Sequence, residues 1–403
     1  MSTGGKDPIS LSAGAIRLDL TGEPGRPSWG QVVLEPVSFD TLSRWPDDNH
    51  LEAFEAFRTS ARRMAGRPYS TKAIGVSGEL LSSIGVRALD PTLDHADSQA
   101  ARGFFEQNFT AYRIVADRAG GRRPGTGLVT GYFEPEAEAS FERNDRFRFP
   151  VYRRPEDLAE IDEGSRPADM ADHFFFARRT GDGYAEYHDR RAIENGVLDG
   201  KGLELFWLDD IVDLFFIHIQ GSARLKMTDG SLLRISYDGK SGHPFTAIGR
   251  LLIERGEIAP EDISMQAIRD WLKSHPGQAR EVMWENRSFI FFQTIDHPQP
   301  ELGPVAAAGV PLSAGRSLAV DHRLHTFGTP LWVETDRPVV GISGHFARLM
   351  IAQDTGSAIT GPVRGDLFIG SGSGAGEIAG RVSHDAQMYV LMPEPQLARG
   401  TST

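Results

Sequence analysis

The chain has 403 residues, 40% of them hydrophobic, enough to bury a large core and long enough for two domains more readily than one. A formal charge of -12 with no sustained Lys/Arg block offers no attraction to a phosphate backbone or an anionic membrane surface, which argues against a nucleic-acid partner. With no cysteine there is no disulfide, thiolate metal site, cysteine nucleophile or acylated N-terminal Cys. Met1 to Pro8 lacks the apolar run an export signal needs, and nowhere do about 18 apolar residues follow one another. Read literally, the sequence predicts a soluble chain that stays in the cytoplasm, without a membrane-spanning segment.

Residues 1 to 45, rich in Gly, Pro and Ser, carry one alternating segment, Val32 to Val37, and read as an extended arm. Asp47 or Asp48 is placed to cap a helix whose inward side is Leu51, Phe54, Phe57, Ala61 and Met64, ending at Gly66. Ser98 opens a second, with Ala101, Phe104, Phe105 and Phe109 inward. Leu128 to Pro135 follows as a strand stopped by a proline. In it Thr130 offers a hydroxyl to a carboxylate or a sugar, Tyr132 an apolar face with an OH suited to stacking on a pyranose, and Glu134 an acid. An ordinary edge strand with a half-buried Tyr has the same pattern.

From about 136 to 290 short strand-like runs (148–152, 204–208, 214–220 and 232–237) alternate with Gly/Asp turns, as in a small β-domain inserted into the first. Gln220 and Ser222 are suited to bind N-acetyl or hydroxyl groups, whereas His218, alternating with large apolar residues, reads as a core histidine. Helices are expected at 245–255, 265–273 and 277–284, with Trp271 and Trp284 in the core.

The C-terminal part carries three acids. Ala319-Val320-Asp321 is a strand ending in an acid, and Gly328 to Glu334 a second strand after a turn. Asp354 and Asp366 then flank a loop punctuated by Gly356, Gly361 and Gly365. Three such acids fit a catalytic cluster, turns held by Asx hydrogen bonds, or an all-oxygen Ca²⁺ or Mg²⁺ site, although no EF-hand spacing is present.

These stretches resemble the lytic murein transglycosylase A family. The resemblance is carried by Gly131-Tyr132-Phe133-Glu134-Pro135, by His218-Ile219-Gln220-Gly221-Ser222, by Asn286-Arg287-Ser288-Phe289-Ile290-Phe291-Phe292, and by the spacing of Asp321, Asp354 and Asp366, which is similar to the 3D segment of secreted cell-wall enzymes. It implies an α+β protein, mainly β: a double-psi β-barrel with N-terminal helices (1–133 and 291–403) and an inserted β-rich domain (134–290), with a groove between them. It implies Asp366 as acid and then base, with Asp321 and Asp354 supporting it and the three-acid cluster raising its pKa. Thr130, Tyr132, Phe133, Gln220, Ser222, Trp332 and Phe368 become candidate substrate contacts, the aromatic ones as stacking surfaces. It implies no cofactor and no metal, peptidoglycan glycan strands as partner, and a periplasmic, outer-membrane-associated setting. That setting conflicts with the missing export signal unless the chain is shortened at its start or the start is assigned too late. Ala223 and Ser357 stand where the family usually has Gly, and Thr360 where it often has Lys. A non-catalytic glycan-binding barrel and a two-carboxylate glycoside hydrolase are the alternatives.

Overall fold

The computed structural model describes residues 14–21, 28–93, 97–116, 125–295, 302–338 and 345–394. Nine strands form one sheet, and its last strand, Gly127–Glu134, also pairs with Ser383–Pro393, which closes six of them into a barrel. Around the barrel run Gly127–Glu134, Arg364–Ser371, Ser317–Val320, His345–Asp354, Pro330–Pro338 and Ser383–Pro393. Two of the pairings are parallel, Gly127–Glu134 with Arg364–Ser371 and Ser317–Val320 with His345–Asp354, and the rest antiparallel. Closure leaves no free edge inside the ring.

Of the segment expected as an extended arm, residues 1–13 and 22–27 lie outside the described residues, and Ile16–Leu20 and Gly30–Val37 are strands of this sheet. Gly30–Val37 pairs along its length with Phe109–Ala116 and sends Val32 and Leu34 into the core. Against the barrel lie the helices His50–Gly66, Gly78–Ala88 and Ser98–Asn108; the middle one, capped by Ser77, has no counterpart in the sequence reading. Phe54, Phe57 and Phe105 fill the space between helices and barrel, as their spacing predicts; Phe109, expected on the helix, begins the strand Phe109–Ala116 and is buried there. Asp48 does not cap the first helix through its side chain. It is buried in a two-pronged pair with Arg316 (2.8 and 2.9 Å) and accepts the Leu349 N–H, fastening the helix start to the barrel.

The inserted domain has its own six-stranded sheet, in the order Ile290–Ile295, Leu232–Lys240, Ser222–Met227, Glu136–Ser140, Glu204–Leu208, Phe149–Tyr152. An isolated bridge from Arg153 to Phe292 draws its two edges together. Ile290–Ile295 belongs to this sheet, so the return to the first domain comes after that strand rather than at 291.

Residues 214–220, read as a strand, lie in the helix Ile211–Gln220. Asp210 accepts the Val212 N–H at its start and Gly221, at φ 77°, ends it. The helix is covered on two sides, Leu214 and Ile217 facing the inserted sheet and Val212, Phe215 and Phe216 facing the helices Met265–Ser274 and Pro276–Trp284. A helix buried on both sides is apolar nearly all round, so the 3.6-residue period is lost from the sequence. Met265–Ser274 and Pro276–Trp284 form as expected, while the first of the three expected helices is shorter, Ile248–Glu254.

Candidate active site

Ser317–Val320 lies between two acid-bearing strands, and Ala319 is paired with Asp354 on one side and with Asp366 on the other. Two interstrand spacings put the backbones of these acids about 10 Å apart, at the same level of the barrel. Asp354 ends its strand. The preceding Gln353, fully buried, bonds Ser317 through its carbonyl oxygen and donates to the Ala56 carbonyl and Ser60 hydroxyl of the first helix, both at 2.9 Å. The strand end is thereby held still.

The neighbouring strand Gly127–Glu134 supplies the hydroxyls. Thr130 and Tyr132, two residues apart, share a face. Thr130 Oγ1 donates to Asp366 Oδ1 at 2.6 Å, and Tyr132 OH donates to Asp354 Oδ2 at 2.8 Å. Asp354 Oδ1 also accepts the N–H groups of Thr355 (2.8 Å) and Ala307 (3.2 Å). Arg364 Nη2 donates to Thr130 Oγ1 at 2.8 Å.

The electrostatics separate the three acids. Burial pushes the Asp366 carboxyl up to about 6; the Arg364 charge and the Thr130 hydrogen bond oppose the rise, and the nearby Asp354 charge adds to it. Burial also raises Asp354, against the hydrogen bonds from Tyr132, Thr355 and Ala307. Tyr132, squeezed by burial and by the Asp354 charge, is held neutral. For Asp321, burial is outweighed by bonds from the Arg323 side chain and from the Gly361 and Arg323 N–H groups, so its carboxyl lies below its usual range. Arg323 grips both Asp321 oxygens, at 2.9 and 2.8 Å, and Gly361 N–H adds a bond of 2.9 Å. Asp321 thus pins the 361 turn instead of joining a three-acid cluster, and the like charge that raises Asp366 is that of Asp354. Nor do the three acids converge on a cation: among the described residues no group of three His, Asp or Glu side chains is arranged to hold a metal.

Several expected contacts sit elsewhere. Trp332 is completely buried, edge-on to Trp45 at 5.0 Å, with Nε1 donating to Glu334 at 2.7 Å, so it is core and not a stacking surface. Phe368 is 1% exposed, covered by the segment at Gly303, where an added Cβ would meet its ring at 2.5 Å. Phe133 is buried against Gly376. These three are buried and present no face to a sugar; of the four aromatic candidates it is the half-buried Tyr132, 5.4 Å from the Phe368 ring, that reaches the acids. Gln220 Oε1 accepts the Phe133 N–H at 3.2 Å, so it joins the inserted domain to the barrel strand. Ser222 is buried in its strand, paired with Ser236. His218 is a core residue as read: it contacts Arg190 at 3.0 Å, packs on Phe289 and Phe292, and is held neutral by burial and the Arg190 charge.

Glu134 is not available as an acid. It is fully buried, with Arg224 Nε at 3.0 Å, Arg234 Nε at 2.7 Å and the Ser371 hydroxyl donating at 2.7 Å. The two arginines also donate to the Leu302 carbonyl, joining the inserted sheet to the segment that re-enters the barrel. Sequence reasoning missed both arginines and Arg364. Arg364 stands only two residues before Asp366, but its line to Thr130 exists through strand register, which no local pattern encodes.

The family description "MltA specific insert domain" matches residues 128–293, and "3D domain" matches residues 316–392. The chain is 34% identical over 278 residues, 67% of each chain, to membrane-bound lytic murein transglycosylase A of Escherichia coli K12. It superposes on the crystal structure of a membrane-bound lytic murein transglycosylase from Agrobacterium tumefaciens with a TM-score of 0.81 at 43% identity, covering 89% of this chain and 97% of that one. On E. coli MltA with bound chitohexaose the TM-score is 0.61 at 26% identity, over 85% of this chain and 90% of the other.

Proposed function

The chain belongs to the membrane-bound lytic murein transglycosylase A family and is a peptidoglycan-cleaving lyase, and on that premise we propose that Asp366 is its single proton-transfer group. A lytic transglycosylase cleaves the β-1,4 bond between N-acetylmuramic acid and N-acetylglucosamine. The attacking oxygen is the 6-hydroxyl of the muramic acid itself, so the protein supplies no water and no second base.

Asp366 protonates the departing glycosidic oxygen as the bond to C1 breaks. As carboxylate it then removes the proton of the 6-hydroxyl while the O6–C1 bond closes, leaving a 1,6-anhydro sugar and a regenerated acid. Intramolecular attack replaces a positioned water, and well-oriented reactions of this kind recover about 7–11 kcal/mol of barrier. One group serving both directions works best with a pKa near the working pH. The observation that carries this reading is the half-buried Asp366 carboxyl, held by Thr130 and pushed up to about 6, while the other acid on the same strand pair, Glu134, is tied to two arginines. Asp354, fixed by Tyr132 and two N–H groups, contributes the negative charge that favours the proton on Asp366 and, in the transition state, favours positive charge on the sugar.

The glycan runs between barrel and inserted domain, past Tyr132. The chitohexaose bound by the E. coli relative supports a glycan site in this chain too. Among the described residues no helix is long and apolar enough to cross a membrane. The substrate and the names of the relatives support a periplasmic, outer-membrane-associated enzyme, which fractionation of cells carrying the native gene tests. The reaction is tested by mass spectrometry of digested sacculi. Anhydromuropeptides are expected; reducing muramic acid ends would assign a hydrolase, and absence of any cleavage with retained binding a glycan-binding barrel.

A further inference from the structure

We propose that Arg364 is a positioning residue that sets the direction of the Thr130 hydroxyl and so confines the transferable proton of Asp366 to Oδ2. The inference rests on Asp366 being the acid.

A guanidinium has donors and no acceptor, whereas a hydroxyl has one proton and two lone pairs. Arg364 Nη2, 2.8 Å from Thr130 Oγ1, therefore occupies a lone pair of that oxygen. The Thr130 proton is left to point at Asp366 Oδ1, 2.6 Å away. A proton on Oδ1 would face a hydroxyl already committed to donating toward it, and one of the two short contacts would be lost. Neutral Asp366 thus carries its proton on Oδ2. That oxygen takes no hydrogen bond from the described residues and is not among their buried polar atoms that lack a partner, so it is open to the site. The exposed oxygen is the one that gives the proton to the glycosidic oxygen and takes it back from the 6-hydroxyl. When Asp366 becomes a carboxylate, the bond from Thr130 becomes charge-assisted and shortens, so the relay favours the ionised state at the stage when a base is required.

The Arg364 charge acts in the same sense, since it opposes the rise that burial imposes on Asp366. Of the other elements packed around this acid, the strand His345–Asp354 brings the Asp354 charge, Gly127–Glu134 brings Thr130 and a neutral Tyr132, and Ser317–Val320 brings Ala319. Removing the Arg364 charge should move the alkaline limb of kcat/KM to higher pH, because protonated Asp366 persists further, while kcat falls for want of a directed proton.

The test is a cycle of Arg364→Met, Thr130→Val and the double variant, with Arg364→Lys and Thr130→Ser as conservative partners. All are assayed on sacculi across pH, with chitohexaose binding and circular dichroism to confirm an intact fold. Each disruptive single variant should lose kcat by about 10-fold with KM little changed, and the double should be no slower than either, because both break one relay. Thr130→Ser should retain most of the activity, and Arg364→Lys should restore the position of the alkaline limb. Multiplicative losses in the double variant, or an alkaline limb unmoved in Arg364→Met, overturn the proposal. If Arg364→Met fails to fold, Arg364→Gln takes its place in the cycle and is read by the same criteria. Asp366→Asn is the separate control: turnover there would remove the acid assignment itself, whereas an inactive Asp366→Asn with an unmoved Arg364→Met profile would remove only the relay.

Discussion

Two ends of one parallel strand pair treat an acid in opposite ways. At one end Thr130 stands beside Asp366, at the other Glu134 beside Ser371, and in both a hydroxyl of one strand donates to the carboxyl of the other, at 2.6 and 2.7 Å. At Glu134 two guanidinium groups touch the carboxyl directly. At Asp366 a guanidinium reaches the acid through the hydroxyl, and burial leaves its pKa near 6. Burial alone therefore does not make an acid catalytic, since the more deeply buried of the two is the one tied up in structure. What differs is whether a cation contacts the carboxyl or the group that hydrogen-bonds it.

Breaking the structural end should have the largest effect. Glu134→Gln leaves Arg224 and Arg234 uncompensated between the domains, and denaturant unfolding should show a loss of about 3–5 kcal/mol. Asp366→Asn should move stability the other way. A carboxyl whose folded pKa of about 6 exceeds the ordinary 3.8 stabilises the fold fully below pH 3.8, and that contribution is lost as pH rises through 6. The amide cannot ionise, so at pH 7.5 the variant should gain up to about 2–3 kcal/mol over the parent, a gain that shrinks steadily as unfolding is repeated toward pH 4. Asp321 sharpens the contrast. Its folded pKa is depressed, so its contribution is present above its unfolded pKa and lost as pH falls through the folded one. Asp321→Asn should cost about 1–2 kcal/mol at pH 7, less in acid, with the solvent-exposed part of Arg323 limiting the loss. The smallest effect is expected from Tyr132→Phe, which removes one donor to Asp354: about 10-fold in kcat, close to 1.4 kcal/mol, in steady-state digestion of sacculi.

Legibility in the sequence followed how local the physics was. The helix His50–Gly66 and the core Phe residues were visible because one face is buried and the other wet. The acids at 354 and 366 are visible from the glycine-punctuated loop they flank, whereas the barrel and the role of each acid come from motif resemblance, which carries spacing but not contacts. Residues 214–220 read as a strand because burial on two sides of the helix Ile211–Gln220 erases its period. Trp332 and Phe368 are expected to face sugar; each is instead buried by a segment distant in sequence, Trp332 by Trp45 and Phe368 by the segment at Gly303. Asp321 looked equivalent to Asp354 and Asp366 along the chain, and only the bidentate grip of Arg323 assigns it to the turn. Likewise, nothing near Glu134 in sequence announces arginines 90 and 100 residues away.

The central claim concerns one side chain, and the release of anhydromuropeptides from sacculi by Asp366→Asn between pH 5 and pH 7 tests it most directly. A folded variant should release them at a rate lower by about 10²–10⁴-fold, the contribution typical of a positioned acid–base group. Release at a rate close to that of the parent would contradict the assignment and return the search to the other acids of the barrel.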